Sequence, residues 1–382
     1  MGARTGSRSR CVEAAEDRNR PRAAGPVDRT GAADADPIPH HDPGSAWRLQ
    51  RQSSHGASTR HSGHRGHARR SARRRDASTR RSRIALPHEQ VMAFGAYVHI
   101  PFCRHRCDYC AFATFTDRDH LMERYARAVV TEIERAIAGG MPAVSSIFVG
   151  GGTPTRITSE LLAGVIEAIP RERDCEVTIE CNPDDVTEPM LLRYARAGAN
   201  RLSFGVQSMK DHVLVNLGRT HDPANVTRAV NLAHQTGFDN FNLDIIYGVH
   251  GESVADWRET VQRVCELQPP HVSAYGLTVE AGTPLADDPA RHPDDDVQAE
   301  MYEAADDILT EHGLLNYEVS NWARPGHECA HNRLYWRQGE YIGFGSAAHS
   351  HVNGRRWWNV RTPDRFCELV EAGQSAESAA ET

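Results

Sequence analysis

Between residues 96 and 277, six short apolar segments alternate with six longer segments in which apolar residues recur at helical spacing. The strand candidates are residues 97–100, 146–149, 177–180, 201–206, 241–247 and 272–277. The helix candidates are residues 121–138, 159–169, 188–197, 211–217, 223–236 and 254–267. Strands that alternate with helices lie parallel and are joined by right-handed crossovers. The pattern predicts an α/β fold, an incomplete (β/α)6 barrel whose functional residues gather where strands end.

Three cysteines follow the first strand candidate within eight residues, in the stretch AYVHIPFCRHRCDYCAF: Cys103, Cys107 and Cys110. Thiolates are the ligands of iron-sulfur clusters, and the spacing C-x3-C-x2-C lets one loop surround a four-iron cluster. Three cysteines leave one iron without a protein ligand, where a small chelating molecule can bind. The alternative is a structural zinc site with His99 or His105 as fourth ligand. Structural zinc ligands usually come as two separated pairs, which favours the cluster.

A glycine-rich turn, GGGTPT at residues 150–155, follows the second strand candidate. Consecutive glycines let a backbone approach a ligand closely. By itself such a sequence is equally consistent with a tight turn. Beside a cysteine loop it indicates a ligand site.

Polar residues that the mouth of a barrel would need are associated with further strand ends: Glu180, Gln207, Arg219 and Asp244. A carboxylate suits a hydroxyl or an ammonium group, and an arginine suits a carboxylate. A helix cap for Asp244 and an ion pair for Arg219 are the alternatives. Their common place at strand ends predicts a shared site at the barrel mouth.

A further group of candidates is the sequence HNRLYW, which contributes His331, Asn332, Tyr335 and Trp336. A histidine beside aromatic rings can bind a porphyrin iron while the rings pack on the macrocycle. More often such residues are core residues whose polar tips are satisfied. The residues alone leave both interpretations open.

Together these motifs resemble the radical S-adenosylmethionine (SAM) superfamily. YVHIPFC and HNxxYW resemble its branch of HemW-type haem chaperones and oxygen-independent coproporphyrinogen III oxidases, over residues 96–361. The resemblance implies a 4Fe-4S cluster on the three cysteines, SAM on the fourth iron, and haem. It also implies that Gly152 and Thr153 hold the SAM amino group. The residues implied to contact SAM are Tyr97, Tyr109, Gly152, Thr153, Glu180, Gln207, Arg219 and Asp244. Those implied to contact haem are His331, Asn332, Tyr335 and Trp336.

One departure from this pattern bears on function. The decarboxylating oxidases carry a further cysteine two places after the third, where Phe112 stands here. We therefore expect a haem chaperone that delivers haem to an acceptor protein, rather than an enzyme that decarboxylates porphyrinogen propionates. His349 and residues 357–361 continue the resemblance to the chaperones. A flavodoxin or ferredoxin is the expected electron donor.

The N-terminal segment has a different composition. Residues 1–90 contain 19 arginines against nine acidic residues, whereas the remainder contains 25 basic and 42 acidic residues. Residues 1–91 lack apolar periodicity and are predicted to be a disordered extension. A nucleic-acid-binding arm, or a reading frame that truly begins at Met92, are the alternatives. We expect no nucleic-acid partner.

The rest of the chain divides into two predicted regions. Residues 92–278 form the partial barrel. Residues 279–382 form a small β-containing extension beside its mouth, with a loop at 279–296, a helix at 298–312, short strands over 315–359, a helix at 363–372 and a polar tail. By resemblance this extension is C-terminally truncated, since family members continue into a helical domain. The chain has no apolar run of roughly 20 residues, which predicts no membrane span, and its scattered cysteines predict a reducing cytoplasm.

Overall fold

One mixed sheet of twelve strands organises residues 93–382, the part of the chain that the computed structural model describes. The predicted disordered extension, residues 1–91, lies outside the described residues. The strands are β1 (Phe94–Ile100), β2 (Val144–Gly151), β3 (Arg171–Cys181), β4 (Arg201–Gln207), β5 (Phe241–Tyr247), β6 (His271–Gly276), β7 (Leu315–Asn316), β8 (Asn321–Ala323), β9 (Glu340–Phe344), β10 (His349–Val352), β11 (Arg355–Asn359) and β12 (Glu377–Glu381). Their order across the sheet is β12-β11-β10-β9-β1-β2-β3-β4-β5-β6-β8-β7.

Seven neighbouring strands, β9 and β1 to β6, run parallel. The remaining pairs are antiparallel. The two edge strands of the described residues, β12 and β7, do not pair with each other, so the sheet is open. The predicted α/β fold with an incomplete barrel is confirmed.

The α-helices of this region follow the predicted alternation. They are α1 (Met122–Ala138), α2 (Ser159–Ala168), α3 (Glu188–Ala197), α4 (Asp211–Asn216), α5 (Pro223–Gln235), α6 (Val254–Glu266), α7 (Asp295–Glu311), α8 (Ala330–Trp336) and α9 (Pro363–Glu371). Local sequence signals fix some of their ends. The Asp222 side chain accepts from the Ala224 amide at the start of α5, and Ser253 and Asp256 form a capping box on α6. Such caps satisfy amides that have no partner within the helix.

The two faces of the parallel strands differ in polarity. On one face, residues such as Val98, Ile147 and Ile179 are fully buried in the apolar core with the helices. Successive residues of a strand point to opposite faces. Glu180 and Asp244 therefore lie on the other face, which is the concave side of the open barrel. This polar face is where a ligand can be bound.

Residues 279–382 add strands to both edges of the sheet. β8 pairs with β6, and β9 pairs with β1. Glu132 of α1 accepts hydrogen bonds from the Gly345 amide and from Asn359 Nδ2, each 2.8 Å long. These bonds tie the helix to the segment that follows β9.

Two elements differ from the prediction. α8 lies where short strands were expected, and residues 377–381, expected as a polar tail, form β12 and pair with β11. Neither element has a strong apolar pattern of its own, and tertiary contacts decide both. Among residues 93–382, no helix combines the length and the apolar character needed to cross a membrane.

Candidate cluster and cofactor site

The cysteine loop leaves the carboxyl end of β1 and is anchored at both sides. The Cys103 amide donates to the Phe115 carbonyl (3.0 Å), and the Phe115 amide donates to the Pro101 carbonyl (2.8 Å). Farther along, Arg291 Nη2 donates to Asp108 Oδ2 at 2.8 Å, and the Leu285 amide donates to the Asp108 carbonyl at 3.0 Å. The loop is thus held by the protein's own hydrogen bonds, and part of this support comes from residues 279–382.

The three thiols lie in one small region of this loop. Cys103 is buried, and Cys107 and Cys110 are half-buried. Burial raises the pKa of the Cys110 thiol to about 11, and the Cys107 and Cys103 thiols add to the rise. Arg219 Nη1 donates to Cys107 Sγ at 3.7 Å. A cluster displaces the thiol protons on binding. Three thiols with a neighbouring cation fit the ligand set of a cluster that has one open iron.

The two histidines considered as a fourth zinc ligand, His99 and His105, lie in different environments. Both ring nitrogens of His99 are in hydrogen bonds, Nδ1 with the Tyr97 hydroxyl and Nε2 with the Ala113 carbonyl, each 3.0 Å long. His105 is exposed on the loop. In residues 93–382, no three His, Cys, Asp or Glu side chains are grouped as ligands of a single metal ion. Cluster thiolates, by contrast, each bind a different iron and remain apart.

The glycine turn runs beside the cysteine loop. The Gly152 amide donates to the Ile100 carbonyl (2.8 Å), and the Thr153 amide donates to the Phe102 carbonyl (2.9 Å). The Thr153 hydroxyl lies 3.5 Å from Cys103 Sγ. The two sequence motifs therefore form one structural unit.

Replacing Gly152 with alanine tests this close approach. A Cβ there would lie 2.8 Å from the Phe102 carbonyl oxygen, 2.9 Å from the Ile100 carbonyl oxygen and 3.0 Å from Cys103 Sγ. Two of these atoms are backbone, so the loop must shift. We expect Gly152→Ala to lower the free energy of unfolding by about 1–3 kcal/mol and to reduce the iron content after reconstitution. Urea unfolding and iron analysis measure the two effects.

Gly164→Ala is the matched control, because a Cβ at this position in α2 meets no atom within 4 Å. Alanine is the better helix former by about 0.5–1 kcal/mol, so this variant should be slightly more stable and keep its iron. Equal stability and iron content in Gly152→Ala and the wild type would show that the loop has room at this point.

Two half-buried carboxyl groups, those of Glu180 and Asp244, lie on the concave side, and Glu180 contacts the glycine turn. Glu180 Oε2 accepts from the Gly151 amide at 3.1 Å. Burial, with a smaller contribution from Asp244, raises the pKa of Glu180 to about 8. Asp244 accepts from Ser203 Oγ and Asn242 Nδ2, each at 2.8 Å, and burial raises its pKa as well. A cationic ligand would favour the ionised form of both groups.

The other predicted SAM contacts surround these carboxyl groups. The Tyr97 hydroxyl is hydrogen-bonded to His99 Nδ1. The pKa of Tyr97 is raised mainly by burial and to a smaller extent by the charge of Glu180. Gln207 has a φ of +62° at a register shift in β4, a conformation that is rare outside glycine. Arg219 Nη2 donates to the Gly205 carbonyl at 2.9 Å. Tyr109 packs against a small apolar cluster below the loop. Glu180 and Gln207 lie at the carboxyl ends of their strands, whereas Tyr97 and Asp244 lie in the middle of β1 and β5.

Some residues of this site were not identified from the sequence. Ser203 and Asn242 hold Asp244, and Tyr275 is close enough for the charges of Asp244 and Glu180 to raise its pKa, after burial as the larger cause. A signal was available in the alternation of the strands. Asn242 lies two residues before Asp244, and side chains at i and i+2 share one face of a strand.

The HNxxYW motif lies towards the amino ends of the strands. His331 Nδ1 is 2.9 Å from Ser146 Oγ, near the amino end of β2. Its ring is 1% exposed and packs between Phe148 and Tyr335, at centroid distances of 5.5 and 4.6 Å. Burial lowers the pKa of His331 to about 3, so the ring is neutral. The Glu176 carboxylate accepts from the Ala330 and His331 amides and caps α8.

The remaining two motif residues are more accessible. Asn332 and Trp336 are half-buried, and the Trp336 ring lies 5.7 Å from that of Tyr317. His331 packs on Phe148, and Phe148 pairs with Tyr97 in the sheet and stacks on its ring at a centroid distance of 6.5 Å, so His331 lies one ring away from a predicted SAM contact. Trp336 is farther away, because its neighbour Tyr317 is hydrogen-bonded to His271, the first residue of β6, about 16 Å along that strand from its last residue. The structure therefore separates Trp336, but not His331, from the predicted SAM contacts.

Comparisons with known proteins point to the same family as the cysteine loop and the HNxxYW motif. The model of the radical SAM superfamily matches residues 97–264. The heme chaperone HemW of Mycobacterium tuberculosis is 40% identical over 290 residues, covering 72% of this chain and 74% of that protein. HemW of Escherichia coli is 38% identical, covering 71% and 75%. Among solved structures, coproporphyrinogen III oxidase (HemN) from Escherichia coli is similar in fold, with a TM-score of 0.68 at 24% identity, covering 76% of this chain and 72% of HemN.

Proposed function

Because this chain belongs to the HemW family of radical SAM proteins, we propose that it is a haem chaperone, which binds haem and transfers it to an acceptor protein. The observation that carries this proposal is the separation of its two sites. Trp336 of the aromatic motif lies beside Tyr317, which is hydrogen-bonded to His271 at the amino end of β6, about 16 Å along that strand from its carboxyl end.

This separation favours a carrier over a decarboxylating enzyme. The radical chemistry that the cluster and SAM would supply at the cysteine loop would act on a group held beside that loop. A porphyrin edge bound at Trp336 would instead lie towards the amino ends of the strands. Phe112, which is 54% exposed, stands where the oxidases have their further cysteine, and this substitution supports the same choice.

Membership of the radical SAM superfamily implies a 4Fe-4S cluster and SAM. When bound, this pair supplies one-electron chemistry at the carboxyl end of the barrel. We assign the cluster to Cys103, Cys107 and Cys110. Gly152 and Thr153 would present backbone groups to the SAM amino end, while the Glu180 and Asp244 carboxylates would face its cationic and hydroxyl groups. We further propose that Tyr97, Tyr109, Gln207 and Arg219 complete this site.

The proposal extends to the cellular location of the protein, its electron donor and the roles of the two regions of the chain. A cluster needs reduced thiols, and all eight cysteines between residues 93 and 382 are free, which supports a cytoplasmic location. A flavodoxin or ferredoxin is the proposed electron donor. We propose that residues 92–278 act as the cluster and SAM barrel and that residues 279–382 provide the haem-binding part.

Haem titration of the anaerobically purified full-length chain tests the function. We expect a saturable Soret band and no conversion of coproporphyrinogen when SAM and a reductant are supplied. Because the sites are separate, Cys103→Ala should lose its iron and keep the haem affinity of the wild type. Decarboxylation without stable haem binding would identify an oxidase instead. Loss of haem binding together with the cluster would show that the two sites are not independent.

A further inference from the structure

A cleft of about 280 Å³ opens beside α8, and five residues line it: Tyr317, Glu328, Arg333, Trp336 and Arg337. Only Trp336 belongs to the residues for which a haem contact was predicted. The volume is close to the lower limit of about 300–1,000 Å³ that is usual for ligand pockets. A ligand the size of a macrocycle can therefore place only one edge in this cleft.

Two aromatic rings form the walls of the cleft. The Tyr317 hydroxyl is 2.7 Å from His271 Nε2 and accepts from the Cys329 amide at 3.2 Å, so the Tyr317 ring is held from behind. The Trp336 ring faces it at a centroid distance of 5.7 Å and an angle of 54°. Aromatic walls of this kind pack on a flat conjugated ligand.

Two guanidinium groups supply positive charge at the same cleft. Arg333 and Arg337 are four residues apart and so lie on one face, where α8 ends. Glu328 Oε2 forms a long ion pair with Arg333 Nη1 (3.9 Å) and accepts from the Gly326 amide at 3.1 Å, so Arg333 has no hydrogen bond to this carboxylate and can turn to a ligand. The exposed Arg337 side chain makes no hydrogen bond or ion pair with any other residue in the range 93–382. The cleft thus offers two arginines for bidentate binding of carboxylates.

We infer that this cleft binds the propionate-bearing edge of haem, with Arg333 and Arg337 on the two carboxylates and with Trp336 and Tyr317 against the ring. This inference rests on the proposed chaperone function and adds the residues that recognise the ligand. His331 is then a positioning residue. Its bond to Ser146 and its packing on Phe148 hold α8 against the sheet, so that both arginines point to the same cleft.

The test compares haem with haem dimethyl ester, in which both carboxylates are blocked. Titrations use the full-length chain with its cluster reconstituted, in the wild type and in the double variant Arg333→Gln, Arg337→Gln. We expect the wild type to bind haem about 10- to 100-fold more tightly than the ester, which is the scale of one or two charge-assisted hydrogen bonds. The double variant should bind haem about as weakly as the wild type binds the ester.

Arg196→Gln with Arg258→Gln is the matched control, since it removes two exposed arginines from α3 and α6. It should keep the preference for haem, and all variants should have the same unfolding midpoint. Haem binding without discrimination against the ester, or an unchanged haem affinity in the Arg333 and Arg337 variant, would overturn the inference and leave the chaperone function standing. A wild type that binds neither compound would contradict both.

Discussion

Changing Cys103 to alanine is expected to abolish assembly of the four-iron cluster, and Cys107→Ala and Cys110→Ala should do the same. In the proposed assignment each thiol supplies the protein ligand of one iron, and a cluster that already has an open iron would not tolerate the loss of another ligand. The loop itself should persist, because backbone hydrogen bonds at Cys103, Phe115 and Asp108 hold it without metal. Iron and sulfide analysis and the broad charge-transfer absorption measure the loss.

Cys265→Ala is the control for this experiment. Its thiol is 5% exposed and lies in α6, within the apolar core, so the variant removes a buried sulfur without touching the loop. It should keep a full complement of iron and lose only a little stability. A full iron content in any of the three loop variants would remove that cysteine from the ligand set.

Replacing Glu180 with glutamine should lower the affinity for SAM by about 10- to 100-fold at pH 8.5, because a charge-assisted contact to a cation is lost. In the wild type the pKa of Glu180 is raised to about 8, first by burial and then by Asp244. The group is therefore mostly protonated at pH 7 and must ionise to face a cation. SAM affinity should rise between pH 6.5 and pH 8.5, by up to about tenfold per pH unit, and this rise should disappear in the variant.

The raised pKa also has a consequence for stability. Because this pKa lies above the unfolded value of 4.5, the neutral carboxyl group contributes its full stability below about pH 4.5, and this contribution is lost as the pH rises from about 4.5 to about 8. Without SAM, the unfolding free energy of Glu180→Gln should fall less over that range. Isothermal titration and urea unfolding at several pH values measure the two effects.

Glu252→Gln is the control. Burial also raises the pKa of Glu252 to about 8, but its carboxylate accepts from the Gly248 and Val249 amides in its own turn. It should share the effect on stability and leave SAM binding unchanged. An unaltered SAM affinity in Glu180→Gln would place the carboxyl group outside the ligand site.

The local sequence pattern was sufficient to predict the barrel and the position of the cysteine loop and glycine turn at the ends of its strands. The structure contains the six predicted strands and the barrel helices because their apolar periodicity is strong. Some helix ends could also be predicted, because the capping residues are close in sequence, as Ser253 and Asp256 are. β3 shows the limit of such a pattern. It begins at Arg171, six residues before its predicted start, because the charged stretch at its amino end carries no apolar alternation and yet pairs with β2.

The sequence by itself determined that three thiols and a glycine turn follow successive parallel strands, and parallel strands bring their carboxyl ends to one edge. That the cysteine loop and the glycine turn lie side by side could therefore be predicted without knowing the long-range packing. Only the tertiary structure decided where the HNxxYW motif lies, because α8 is short and docks through Ser146, Phe148 and Glu176, residues that are more than 150 positions away in the chain. The same docking buries His331 and leaves Arg333 and Arg337 at the open cleft. Contacts between residues so far apart in the sequence form only when the sheet is folded, so they cannot be predicted from a local sequence pattern.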